Sequence, residues 1–294
     1  MSNKKVSVLS NVVLIFVALL ALLPFMLLIV SSLTDNSWAL ANGFRFLPDK
    51  WSLDAYKYLA GQLFTIGHAY VMTIVVTVIG TSLSILITSL FAYGLSNEAV
   101  PGVRFFNFLL VFTMLFNGGL VATYYTYTNY FHIKDTIWAL IVPNLLMNAF
   151  NVILVKNYFK SSVPASLLEA ARMDGASEFR IFFSVVFPLS KPILATIGLM
   201  TGLNYWNDWQ NGLYYLTQRG GSSYYTIQII LNNINENINF LSGNAGNVIN
   251  SVNSMPSQTA RMAIAVIGIL PVLIAYPFFQ KYFVKGIALG GVKG

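Results

Sequence analysis

Cysteine is absent from this chain of 294 residues, and charged residues are scarce. Without cysteine the protein cannot form a disulfide, use a thiolate nucleophile or hold a metal through sulfur ligands. Only 9% of the residues are Asp, Glu, Lys or Arg, whereas soluble proteins carry about 25%. His68 and His132 lie at the ends of apolar runs without an acidic cluster at ligand spacing, so no metal site is predicted.

Catalytic and nucleotide-binding patterns are missing as well. The sequence contains no G-x-x-x-x-G-K-[ST] segment for cradling nucleotide phosphates. It also lacks a Ser-His-Asp or paired-carboxylate arrangement, so the chain is predicted to be no enzyme and to have no catalytic residue. The formal charge of +7 comes from basic residues scattered through short segments, which does not indicate nucleic-acid binding.

What the chain has in abundance is apolar sequence, at 56% of the residues. The apolar residues form runs of about twenty, the length of a helix that crosses a bilayer. We predict an all-α integral membrane protein with one transmembrane domain, residues 1–294, and six spans at about 12–32, 68–95, 105–123, 136–155, 192–213 and 260–284. The first run is also compatible with a secretory signal peptide, but it exceeds the usual apolar length of about 7–15 residues.

The distribution of basic residues predicts the orientation. With a cytoplasmic N-terminus, eleven Lys and Arg fall in the inner segments and six in the outer segments, although the outer segments are longer. The positive-inside rule therefore places both termini in the cytoplasm. Residues 161–190, between the fourth and fifth spans, then form a cytoplasmic loop.

This loop has the signals of two short helices joined by a sharp turn. Pro164 suits a first helical turn, and residues 165–173 are good helix formers. Gly175 supplies the left-handed conformation that ends a helix, and a bulky residue there should lose it. Ser177 is placed to cap a second helix that runs to Pro188.

The residues of this loop resemble a known family motif. Glu169-Ala170-Ala171, then Gly175, then Val185, Phe187 and Pro188 resemble the EAA loop of ABC importer permeases. Val185 and Phe187 depart from the usual Ile and Leu but keep the apolar character. The rest of the chain is similar to the maltose-type carbohydrate-uptake permeases, and residues 255–256, 261–263 and 276–286 resemble the oligosaccharide subgroup. An ordinary amphipathic connector is the alternative for the loop.

This resemblance implies a type I ABC importer permease in the bacterial cytoplasmic (inner) membrane. The loop would be the coupling helix that contacts the ATPase, with these residues carrying the coupling: Glu169, Ala170, Ala171, Arg172, Asp174, Gly175 and Pro188. The implied partners are a second permease subunit, two ATP-binding subunits that hold ATP and Mg, an extracytoplasmic solute-binding protein, and membrane lipid. Lys293 and Gly294 of the tail would contact the ATPase; a frayed basic tail near anionic lipid is the alternative.

Polar and aromatic residues near the spans are the candidates for lining a substrate path. Hydroxyl partners and flat apolar faces suit a sugar. The candidates are Asn117, Asn144, Asn148, Asn204, Trp206, Asn207, Asp208 and Trp209. The same residue types also pack helices together and accumulate at membrane interfaces.

The predicted function is uptake of oligosaccharides, driven by ATP that separate subunits hydrolyse. An importer of the same type for another solute is one alternative. A stand-alone secondary carrier is another, for which repeated halves, broken helices or several buried ionisable groups would be typical. In the long outer segment, apolar residues from Ile227 to Leu241 recur every three or four positions, which predicts an amphipathic helix on the membrane surface or on a partner.

Overall fold

A computed structural model describes the backbone of residues 2–243 and 257–291, with side chains for residues 7–236, 258–274 and 277. In this part of the chain the secondary structure is helical, apart from an isolated antiparallel bridge between Thr34 and Trp51. An all-α fold was predicted. The chain divides into two compact units, residues 1–67 with 230–271, and residues 68–229 with 272–294.

The first unit contains a long apolar helix and several short polar ones. Its helices are α1 (Ser2–Ser32), α2 (Asn36–Asn42) and α3 (Asp54–Ala60), with most of α14 (Ile227–Gly243) and the first part of α15 (Ser257–Gly291). The Asp35 side chain accepts a hydrogen bond from the Trp38 amide and so starts α2. Asn36 Oδ1 accepts from the Gln258 amide at 3.0 Å, which joins α2 to the beginning of α15.

The second unit is a bundle whose longest element is α4 (Leu63–Ser96), which belongs to it from residue 68 onward. Further along the chain come α5 (Val103–Leu115), α6 (Gly119–Tyr125), α7 (Trp138–Ile141), α8 (Ala149–Ser162), α9 (Ala165–Met173), α10 (Glu178–Ile181), α11 (Phe187–Leu189), α12 (Lys191–Asn207) and α13 (Gln210–Tyr215). Two π-helical segments, Thr126–Tyr130 and Phe182–Val186, follow α6 and α10.

Two clusters of buried apolar side chains hold this bundle together. The first joins the C-terminal end of α4 to α5, α8, α10 and the first half of α12, with Val152, Val155, Phe182 and Val186 almost fully buried. The second joins the middle of α4 to α7, the end of α12 and α13, around Tyr205 and Tyr215. The EAA-like loop therefore packs on the first cluster, and the interruptions of the apolar runs lie near the second.

Small residues let α4 and α12 approach closely. A Cβ at Gly80 would lie 2.5 Å from the Tyr205 ring, and one at Gly198 would lie 2.9 Å from Ile85 Cδ1. Such contacts are typical of helices that pack in membranes. Tyr205 is 1% exposed and donates a hydrogen bond from its hydroxyl to the Ile141 carbonyl at 2.8 Å.

Two described helices are long and apolar enough to cross a membrane, residues 7–32 and 63–96. A third is obtained if Glu178–Leu189 and Lys191–Asn207, which meet at an angle of 81°, are counted as one broken span. Shorter apolar helices occupy Val103–Leu115 and residues 258–274. The arrangement of six spans stays a prediction.

Helix interruptions divide three of the predicted spans. The run 105–123 contains the end of α5 and the start of α6, with an extended residue, Phe116, between them. The run 136–155 contains α7 and α8 separated by residues 142–148, and Asn144 has a φ of 61°. The run 192–213 breaks at Asp208, between α12 and α13. Hydropathy reports the apolar character of these runs but not the backbone breaks.

Candidate functional site: the EAA-like loop and a polar cleft

Helix α9 begins and ends as its residues dictate. Pro164 precedes it with extended geometry, and Gly175 follows it with a φ of 75°. The amide of Gly175 donates to the Arg172 carbonyl and that of Ala176 to the Ala171 carbonyl, each at 3.0 Å. This pair of bonds satisfies the last carbonyls of a helix that ends in a left-handed residue. The left-handed turn at Gly175 that was predicted from the sequence is confirmed.

The second helical arm starts directly after this turn. Ser177 Oγ accepts a hydrogen bond from the Arg180 amide at 3.4 Å, as the capping prediction required. The arm runs without interruption from Glu178 through the π-helical segment to Leu189. Ser190, two residues beyond Pro188, follows its end. The chain then turns by 81° into α12.

The loop has an apolar inner face that attaches it to the bundle. Ile181, Phe182 and Val186 of the second arm are each 1% exposed. From α9 only Leu168 and Ala171 are half-buried against the same cluster. Helix α9 is thus held more loosely than the arm that follows it.

The outer face of α9 and the turn is exposed and largely apolar. Met173 is 88% exposed, Phe179 is 71% exposed and Leu167 is 46% exposed. Glu169, Ala170 and Asp174 are exposed as well, and Pro188 is exposed on the second arm. Large apolar side chains in water mark a surface that binds a partner.

Arg172 is paired within the chain. Its Nε donates to Glu178 Oε1 at 2.8 Å, across the turn. The other oxygen, Glu178 Oε2, accepts a hydrogen bond from the Tyr93 hydroxyl on α4. A neighbouring ion pair, Lys160 Nζ to Glu98 Oε1 at 2.6 Å, joins α8 to the segment after α4 without touching α9.

The second site is a polar cleft of about 270 Å³ in the second unit. It lies where the three interrupted runs meet. Its lining is Asn117, Gly119, Leu120, Thr123, Asn144, Gln210, Asn211, Tyr214 and Tyr215. Amide and phenol groups dominate this lining, and it contains no charged side chain. Such groups can donate and accept hydrogen bonds from sugar hydroxyls.

After each break, a short polar side chain accepts a hydrogen bond from a backbone amide at the start of the next helix. Asn117 Oδ1 accepts from the Gly119 amide at 2.8 Å, at the start of α6. Asn148 Oδ1 accepts from the Phe150 amide at 2.9 Å and starts α8. Asp208 Oδ1 accepts from the Asn211 amide at 3.3 Å, in the first turn of α13. Hydrogen bonding to backbone amides at helix starts is thus the observed role of these three side chains.

The cleft wall at Tyr215 is fixed from two sides. Its ring stacks on Tyr124, with centroids 5.6 Å apart, and meets the edge of Tyr127 at 6.1 Å. Its carbonyl accepts from the Asp135 amide at 3.0 Å, and Asp135 Oδ2 accepts from the Thr217 hydroxyl at 2.9 Å. The wall is therefore rigid where it carries the aromatic ring.

The structure brings only part of the predicted substrate path together. Asn117 and Asn144 line the cleft, and Asp208 lies beside two lining residues. Asn204 and Trp209 are exposed without lining the cleft, and Trp206 is 9% exposed with its ring 6.3 Å from Tyr70. Asn207 donates to the Leu203 carbonyl of its own helix.

Sequence reasoning missed seven of the nine lining residues, namely Gly119, Leu120, Thr123, Gln210, Asn211, Tyr214 and Tyr215. The signal was the polar pair directly after the Asn- and Trp-rich segment, where an uninterrupted apolar span would be expected to continue. Within the described residues no group of three or more His, Asp or Glu side chains is placed to hold a metal ion. Lys293 and Gly294 lie outside the described residues.

Comparison with known proteins supports a transport role. Residues 87–289 match the family model of the binding-protein-dependent transport system inner membrane component. The polygalacturonan/rhamnogalacturonan transport system permease protein YtcP of Bacillus subtilis (strain 168) is 39% identical over 294 residues, 100% of both chains. An arabinooligosaccharides transport system permease protein of Halalkalibacterium halodurans is 30% identical, over 95% of this chain and 94% of that protein.

A solved structure is similar over nearly the whole chain. It is a crystal structure of a bacterial ABC transporter involved in the import of the acidic polysaccharide alginate. The similarity has a TM-score of 0.77 at 33% identity and covers 96% of this chain and 98% of that one. With its helix–turn–helix loop and its broken apolar helices, this chain belongs to the family of binding-protein-dependent transport system inner membrane components.

Proposed function

We propose that this chain is a permease subunit of an ABC importer that moves oligosaccharides into the cell. The observation that carries the proposal is the EAA-like helix–turn–helix, whose outer face exposes Met173 and Phe179 to water. Relatives that transport polygalacturonan, arabinooligosaccharides or alginate support the substrate class. Both termini and residues 161–190 lie on the cytoplasmic side in this proposal.

The exposed face of α9 is the contact with the ATPase subunits. Leu167, Ala170 and Met173 lie on α9 and Phe179 follows the turn, so the exposed apolar residues are contributed from both sides of Gly175. Glu169 and Asp174 place exposed carboxylates beside them. A cleft with an apolar floor and basic rim would suit this surface, and ATP and Mg would be held by those partner subunits.

A second permease subunit covers the exposed, interrupted region between α5 and α6. Every residue from 111 to 122 is exposed, including Leu115 at 84% and Val121 at 82%. Phe116 interrupts the helical hydrogen bonds within this region. Irregular backbone is not exposed to lipid in the hydrocarbon layer, because its polar groups would lack partners there. Such backbone is found against a protein surface or a water-filled cavity, and a facing permease subunit would provide both.

The polar cleft opens in this interrupted region and is the proposed substrate path. Its volume of about 270 Å³ is at the lower limit of small-molecule pockets, about 300 Å³. An oligosaccharide would need more space, which the partner permease would provide as a facing wall. Asn144 and Gln210 are placed to bind hydroxyls, and Tyr215 offers a ring face for a sugar.

Reconstitution tests this function directly. The chain would be placed in liposomes with a second permease subunit, the ATPase and a binding protein loaded with an oligogalacturonide. We expect uptake that requires both ATP and the binding protein. Uptake in liposomes that contain this chain without an ATPase would contradict the proposal and favour a stand-alone carrier. If only an unrelated solute were taken up, the importer function would be supported and the oligosaccharide substrate contradicted.

A further inference from the structure

Glu178 belongs to a group of three polar side chains that links α9 to α4, together with Arg172 on α9 and Tyr93 on α4. It is the first residue of α10, and its two carboxylate oxygens accept hydrogen bonds from different helices. Oε1 accepts from Arg172 on α9 at 2.8 Å, and Oε2 accepts from the Tyr93 hydroxyl near the end of α4. The Glu178 side chain therefore links α9 to α4, the longest helix of the bundle.

The remaining contacts of α9 do not fix its direction. In the described part of the chain its inward contacts are those of Leu168 and Ala171 with the apolar cluster. Apolar contacts depend on buried area and have no preferred angle, so they permit a helix to roll. Hydrogen bonds are directional, and those to a charged acceptor are the stronger kind. Together with the turn at Gly175, the Glu178 carboxylate thus gives α9 a directional contact with the bundle.

Helix α4 extends from this contact to the cleft. Tyr93 packs on Phe182, with ring centroids 5.4 Å apart, and so lies on the apolar cluster beneath the loop. Gly80 lies about 20 Å away along the same helix, at about 1.5 Å per residue. There α4 contacts Tyr205, whose hydroxyl binds the Ile141 carbonyl just before the turn that carries Asn144. One end of this stretch of α4 thus contacts the loop, and the other contacts Tyr205, which binds the segment that leads to Asn144.

We propose that Glu178 is a positioning residue for coupling, which transmits movement of α9 to α4 by holding Arg172 and Tyr93 at the same time. This inference rests on the proposed importer function. It differs from a direct ATPase contact, because Glu178 acts through residues of its own chain. It also gives Arg172 a role within its own chain, in addition to the partner contact that the sequence indicated.

The test uses the complete reconstituted complex and substitutions at three residues, Tyr93, Arg172 and Glu178. Glu178→Gln removes the charge, and Tyr93→Phe removes a single oxygen atom. We expect each to lower the amount of solute transported per ATP by about 2- to 30-fold, with basal ATPase activity retained. Combining them should cost little more than either alone, because both act on one contact. The exchanged pair Arg172→Glu with Glu178→Arg should recover part of the loss seen in Glu178→Arg alone.

A matched control comes from the neighbouring ion pair. Glu98→Gln removes a more exposed carboxylate at the same end of the bundle, from a pair that does not involve α9. Surface ion pairs contribute little to stability, so all of these variants should fold. The proposal is overturned if Glu178→Gln and Tyr93→Phe transport as much per ATP as the unmodified complex. It is also overturned if Glu98→Gln loses as much as they do.

A distance measurement separates positioning from activity. Because the chain has no cysteine, spin labels can be attached at Ser166→Cys on α9 and Ala99→Cys after α4 without other changes. We expect a narrow distance distribution that broadens in Glu178→Gln and stays narrow in Glu98→Gln. An unchanged distribution in Glu178→Gln would overturn the inference. If the unmodified complex shows no ATP-dependent uptake, the importer function fails instead.

Discussion

Replacing Gly175 with alanine should uncouple ATP hydrolysis from transport without disturbing the packing of the loop. The residue has a φ of 75°, and no atom lies within 4 Å of a Cβ built on it. The cost is therefore conformational, about 1–2 kcal/mol for a residue with a side chain in the left-handed region. That free energy shifts the balance between this turn and any alternative turn by about 5- to 30-fold.

Asparagine and a second glycine provide the comparison. Asn enters the left-handed region more readily than Ala, so Gly175→Asn should lie between Gly175→Ala and the unmodified chain. Gly102 has a φ of 84°, and a Cβ on it would be 3.7 Å from the Phe106 ring, an ordinary contact. Gly102→Ala should therefore lose about as much stability as Gly175→Ala while leaving α9 in place.

The assay is transport per ATP in proteoliposomes, together with thermal unfolding of the purified complex. We expect both alanine variants to unfold at a lower temperature, and only Gly175→Ala to lose coupling. Equal coupling in Gly175→Ala and Gly175→Asn would refute the reasoning from backbone conformation. An equal loss in Gly102→Ala would show that general destabilisation is responsible.

Three further predictions concern other contacts. Tyr205→Phe leaves the buried Ile141 carbonyl without its donor, so chemical unfolding of the complex should show a loss of about 1–3 kcal/mol; an unchanged midpoint would contradict this hydrogen bond. Asn144→Leu should lower uptake while basal ATPase activity persists, and equal loss of both would instead indicate a folding defect. The Lys160 ammonium holds the pKa of Glu98 below its usual 4.5. The ion pair between Lys160 and Glu98 is therefore complete above pH 4.5 and is lost as the pH falls through the lowered pKa. Lys160→Gln should return the pKa of Glu98, measured by carboxyl NMR, towards 4.5.

Local signals in the sequence predicted the loop well. The bounds of α9, the left-handed Gly175 and the Ser177 cap follow from residues within four positions of one another. Such short-range preferences act before any tertiary contact forms. The amphipathic helix predicted from Ile227 onward is present as α14, but its predicted location on the membrane surface or on a partner was wrong for its first part, because Ile227, Ile230 and Ile234 are buried within this chain.

The cleft was only partly predictable, for a physical reason. Asn117, Asn148 and Asp208 were assigned to the substrate path because their polar groups suit sugar hydroxyls. For Asp208 the cost of an ionisable group within a span was a further reason. In the structure their side chains bind backbone amides at helix starts, which a search for isolated polar residues does not distinguish from ligand binding. The substrate-path role of these residues stays a prediction, and Asn117 both starts α6 and lines the cleft.

Contacts between distant parts of the chain were out of reach. Tyr93 and Glu178 are separated by 85 residues, so no local spacing could pair them. Arg172 was predicted to contact a partner, because it is a cation on a docking helix. In the structure it forms an ion pair with Glu178 of its own chain. Its partner depends on the turn at Gly175, which brings the two charges together from opposite sides.

The close contact between Gly80 and the Tyr205 ring restricts how two helices can move. A ring that projects over a glycine blocks axial sliding of α4 past α12, since the next residues on α4 carry side chains in its way. Rotation about the contact point remains open, because a flat ring on a bare backbone offers little resistance to it. Helices α4 and α12 can therefore tilt relative to each other but cannot slide along each other. A displacement applied at the Tyr93 end of α4 would then reach Tyr205 as a change in the tilt between α4 and α12.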